Sequence, residues 1–89
     1  MRFKVERICR SDSMSVVPLE AVRFDLRASA ERLRREGYAA EPNELYLVTR
    51  MGEVDVTIYP SGRVLVRPME DKAGAKELAQ RLFALMVRE

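Results

Sequence analysis

The chain has 89 residues, enough for one domain and too few for two. With 47% hydrophobic and 34% charged residues it is too apolar for a disordered segment and too charged for a membrane protein. The net charge is only +2, from sixteen basic and fourteen acidic side chains, which excludes the one-sided charge of a histone-like protein.

No apolar run approaches the roughly 20 residues that span a bilayer. The opening Met1-Arg2-Phe3-Lys4-Val5-Glu6-Arg7 alternates charge with apolar residues and does not read as a signal peptide. A cytoplasmic protein with no membrane partner is expected. Cys9 is the sole cysteine and there is no histidine, so the usual zinc and iron–sulfur sites are not expected. Free cysteine is most often a packed small hydrophobe, and Cys9 is read that way. Thirteen of the sixteen basic residues are arginine, which pairs bidentately with carboxylates or phosphates. Such a surface suits an ion-paired thermophile protein or a GC-rich genome; it also suits a phosphate-binding stripe.

Arg2 to Cys9 reads as a strand, because Phe3 and Val5 alternate with Arg2, Lys4 and Glu6. Ser11-Asp12-Ser13 signals a turn. Pro18 could open a helix, with Leu19, Val22, Leu26, Ala30 and Leu33 forming one stripe, but Phe24 would face away from it. A later start with Asp25 as N-cap gives a firm helix from Asp25 to Glu36, and Gly37 suits its end.

Leu45 to Arg50 is rich in strand formers, and Met51-Gly52-Glu53 makes a short hairpin connection. Val54 to Tyr59 alternates again, with Val54, Val56 and Ile58 on one face. A tight turn at Pro60-Ser61-Gly62 leads to a strand from Arg63 to Arg67, which Pro68 ends or marks as an edge. A last helix runs from about Lys72 to Val87, capped by Asp71 or Glu70. Its stripe is Ala75, Leu78, Ala79, Leu82, Leu85 and Met86.

The order βαβββα predicts an α+β domain: a four-stranded antiparallel sheet with two helices on one face and the other face open. Alternation assigns Asp55, Thr57, Tyr59, Arg63, Leu65 and Arg67 to the open face. Tyr46, Val48, Arg50, Arg2 and Lys4 join them. Tyr46, Arg50, Tyr59, Arg63, Leu65 and Arg67 are the candidate binding residues. Arginines can meet phosphates while Tyr and Leu contact bases or sugars. The same residue types are enriched at protein interfaces. Glu6 and Asp55 count against phosphate binding.

The segment Val54-Asp55-Val56-Thr57-Ile58-Tyr59-Pro60-Ser61-Gly62-Arg63-Val64-Leu65-Val66 resembles the strand–Ser-Gly-basic–strand hairpin of the TATA-binding protein repeat. Lys72-Ala73-Gly74-Ala75-Lys76-Glu77-Leu78-Ala79 is similar to the helix that closes that repeat, and Phe24-Asp25-Leu26-Arg27 to the start of its first helix. The hairpin also resembles the small N-terminal domain of one class of H-type ribonuclease. The resemblance implies a curved half-saddle sheet with helices on its convex side and a concave face for the minor groove. It places Tyr59 where the repeat carries a wedge-forming Phe, and Arg63, Leu65 and Arg67 at groove-facing positions. Glu44 or Leu45 stands near the position of the second wedge. With a single repeat in the chain, a saddle requires a homodimer.

An enzyme is not expected. No histidine serves acid–base work, no nucleophile is paired with a base, and Gly37, Gly52, Gly62 and Gly74 are isolated turn or cap residues rather than a phosphate loop. No cofactor is implied. The leading expectation is a small non-enzymatic module that binds DNA or RNA through the open face as a homodimer. The alternative is a protein-interaction or accessory subunit of a larger complex, akin to the small dimerising subunits of tRNA-modifying complexes.

Overall fold

The computed structural model describes residues 2–8 and 12–89. Cys9 lies outside the described residues, as does Ser11 of the expected turn. The elements in chain order are β1 (Phe3–Arg7), β2 (Met14–Pro18), α1 (Leu26–Arg35), β3 (Ala40–Pro42), β4 (Leu47–Met51), β5 (Val54–Ile58), β6 (Val64–Arg67) and α2 (Lys72–Leu85).

The fold is α+β with an antiparallel open sheet and two helices, but the sheet has six strands rather than four, in the order β1-β2-β6-β5-β4-β3. Both additional strands sit where periodicity is weak. In Met14-Ser15-Val16-Val17-Pro18 only Ser15 breaks an apolar run, and the ambiguity with a helix starting at Pro18 is resolved in favour of a strand. Met14 and Val16 are fully buried. Pro18 ends β2 instead of opening a helix, and Leu19, placed on a helical stripe by an early start, is 57% exposed. The other additional strand, β3, has three residues and ends in Pro42, too short for any period to show.

The later helix start is the observed one. Asp25 is the N-cap of α1, its carboxylate accepting from the Ala28 amide at 3.0 Å. Phe24 precedes the helix and is nearly fully buried, pairing across a β-bridge with Arg88. Gly37 follows the C-cap with φ +94°. Asp71 caps α2, accepting from the Ala73 amide at 3.0 Å. That helix ends at Leu85, two residues before the expected Val87.

Register sets two inward rows. Val5, Val16, Val64, Ile58 and Leu47 run across one; Met14, Val66, Val56, Thr49 and Ala40 run across the next. Leu26, Ala30 and Leu33 of α1 and Ala75, Leu78, Ala79 and Leu82 of α2 belong to the same core. Helix α1 lies over β3, α2 over β1 and β2, and the helices touch each other. The opposite sheet face carries no helix. Among the described residues, no helix is long and apolar enough to cross a membrane.

Candidate binding face

Antiparallel pairing converts strand alternation into rows across the open face. The middle row runs Glu6, Ser15, Leu65, Thr57, Val48, Glu41 and spans all six strands. It is weakly apolar at its centre, with Leu65 and Thr57 half-buried and Val48 38% exposed. Acids stand at both of its ends.

One flanking row follows from the same register carried one residue further: Lys4, Val17, Arg63, Tyr59, Tyr46. Tyr59 and Arg63 close the β5–β6 hairpin, the Tyr59 amide donating to the Arg63 carbonyl at 2.9 Å. The Tyr46 and Tyr59 rings meet edge-on with centroids 6.1 Å apart. Asn43 positions Tyr46: its side-chain oxygen accepts from the Leu45 and Tyr46 amides at 2.8 and 2.9 Å. Arg63 Nε donates to the Ser15 hydroxyl at 3.2 Å, which pins the guanidinium over β2. This row contains no acid.

The other flank holds Arg67, Asp55 and Arg50 in register. Arg50 pairs with Asp55 at 3.6 Å and Arg67 with Asp12 at 3.4 Å. All four side chains are largely exposed, so each pair contributes little to stability. Arg63 and Arg67 are four residues apart along the strand, about 13 Å at strand rise. The face therefore brings Arg63, Tyr59 and Tyr46 together, with Leu65 beside them. Arg50 and Arg67 lie beyond the middle row, next to Asp55 and Asp12.

Ser15, Val17 and Glu41 also belong to this face, although alternation within the expected strands did not reach them. Ser15 between Met14 and Val16 is the one signal that could have placed β2. Leu45, near the second wedge position, is 71% exposed in the β3–β4 connection.

Glu6 titrates below the usual carboxylate range. The hydrogen bond and charge of Lys4, 2.9 Å away, are the main cause; desolvation opposes them to a lesser degree, and the charges of Arg63 and Lys72 add smaller lowering effects.

Elsewhere, a cleft of about 380 Å³ beside α2 is lined by Phe3, Phe24, Gln80, Phe83, Ala84, Met86 and Arg88. Phe83 packs on Phe3 and Phe24, with centroids 5.4 and 5.9 Å away. Among the described residues, no group of three potential ligands is arranged to hold a metal ion. No protein-family model, no curated protein and no solved structure matches this chain.

Proposed function

We propose that this domain binds nucleic acid through its open sheet face, as a homodimer and without catalysis. The observation that carries the reading is the acid-free row Lys4–Val17–Arg63–Tyr59–Tyr46. On this reading Arg63 would meet phosphates, with Lys4, ion-paired to Glu6 at 2.9 Å, in a lesser role, while the two tyrosines would offer faces and edges to bases or sugars. A half-saddle of the TATA-binding protein type would use the same face, with Tyr59 as its wedge. Contacts of this kind read charge and shape, so binding would be weak, sequence-tolerant and steeply reduced by salt.

A second reading is supported by the acids. Glu6 and Glu41 end the middle row and Asp55 stands between Arg67 and Arg50. This mixture of charges around Leu65 and Val48 suits a protein partner or a larger assembly. Fluorescence anisotropy of labelled single- and double-stranded DNA and RNA at low salt separates the two. Salt-sensitive binding supports the nucleic-acid reading. Absence of binding to folded protein leaves the protein-interaction reading.

A further inference from the structure

We infer that the free edge of β1 pairs with the β1 edge of a second copy, antiparallel and with its two-fold axis at Val5, joining two six-stranded sheets into one. This deepens the homodimer of the preceding section and rests on it, but it does not depend on what the open face binds.

The backbone directions come first. Ile8 N–H donates to the Ser13 carbonyl and Leu19 N–H to the Arg2 carbonyl. In the same register, Lys4 and Glu6 direct their backbone groups toward β2. The N–H and C=O groups of Phe3, Val5 and Arg7 therefore point to the free edge. No backbone hydrogen bond between described residues uses them there. An antiparallel pairing centred on Val5 sets Val5 against Val5 and Phe3 against Arg7. It uses those outward groups in about six hydrogen bonds, as an antiparallel ladder requires. Moving the axis by one residue, to Lys4 or to Glu6, keeps outward groups facing one another but leaves about four of these bonds within Phe3–Arg7 and sets Lys4 against Lys4 or Glu6 against Glu6.

The side chains agree with this register. Lys4 of one copy stands opposite Glu6 of the other, twice, on the open face. On the core face the half-buried Phe3 and Val5 lie at the margin of the apolar layer, where a second strand would cover them. The Arg7 side chain is drawn aside by its hydrogen bond to the Glu70 carbonyl. The two edges of the sheet differ. β3 is three residues long and ends in proline, a protected edge. β1 is five residues long and has no proline.

Sedimentation equilibrium of the full chain, without nucleic acid, from low to several hundred micromolar, tests the pairing. The wild type should show twice the chain mass. K4E and E6K each set like charges opposite one another, and each should raise the dimer Kd about tenfold or more. The double variant K4E/E6K should restore wild-type affinity, and the two single variants mixed should form a heterodimer in preference to either homodimer. Circular dichroism verifies that each variant is folded. A wild type that stays monomeric throughout overturns the inference and the homodimer together. A dimer indifferent to the single substitutions, or not restored by the double one, overturns this edge and register while leaving the homodimer standing. Anisotropy with nucleic acid is a separate readout, so loss of the binding reading is distinguishable from loss of the dimer.

Discussion

The Ser29 hydroxyl accepts a hydrogen bond from the Val87 amide at 2.9 Å, joining the middle of α1 to the segment that follows α2. The neighbouring Asp25 amide donates to the Val87 carbonyl at 2.8 Å, and the Phe24–Arg88 bridge continues the connection. Ser29 is fully buried. S29A should therefore leave the part-buried Val87 amide without its side-chain partner. A loss of about 1–3 kcal/mol in urea unfolding is expected. A change within error would show that the Val87 amide finds another acceptor.

Ile58 is fully buried between Leu47 and Val64 in one inward row of the sheet. I58A should cost about 2–5 kcal/mol, the range for buried Ile truncation. Chemical denaturation with an unchanged m-value checks it.

Gly62 and Gly52 both hold positive φ, at +91° and +65°, but their surroundings differ. A Cβ on Gly62 would meet Pro18 Cγ and Val22 Cγ2 at 2.7 Å, whereas nothing lies within 4 Å of one on Gly52. G52A should carry only the left-handed backbone cost of about 1–2 kcal/mol. G62A should add an overpacking cost of about 1–3 kcal/mol and loosen the turn that sets Tyr59 against Arg63. Thermal denaturation of the pair, with G62A the less stable, is the expected result.

Lys4 holds Glu6 in its charged form, so K4M should move the Glu6 titration up toward the ordinary carboxylate value. Arg63 and Lys72 still act to lower it, against the desolvation that raises it. Because the folded-state pKa is depressed, the contribution of this group to stability is present above the unfolded carboxylate pKa. It is lost as pH falls through the lower folded value. Carboxyl NMR titration of wild type and K4M reads the shift directly; identical curves would refute the role of Lys4.

If the open face binds nucleic acid, R63A should weaken binding and flatten its salt dependence, each lost phosphate contact reducing the slope by roughly 0.7–0.9. R67A should do less, since Arg67 stands beside Asp12 and Asp55, away from the tyrosines. Y59A should cost more than R67A where the ring stacks on bases. Equal losses for all three would show that general charge, rather than the Arg63–Tyr59–Tyr46 row, carries the binding.

Local chemistry in the sequence determined the two helices, the Asp25 cap, the β4–β5–β6 meander and which of its residues face away from the core. A period of two and a stripe of helical spacing are visible within one element, and a cap needs only its own carboxylate and the next turn. Met14–Pro18 carries only the lone alternation at Ser15, and Ala40–Pro42 carries no such signal. An apolar run with one serine, or a three-residue segment, becomes a strand only when a neighbour supplies the ladder, and β6 and β4 are those neighbours. The same dependence placed Ser15 beneath Arg63 and separated Arg50 and Arg67 from Tyr59. Alternation assigns a side chain to a face, but only the register between strands assigns it to a row. Buried Ser29 shows this most plainly: its partner lies 58 residues along the chain, and folding alone brings the two together.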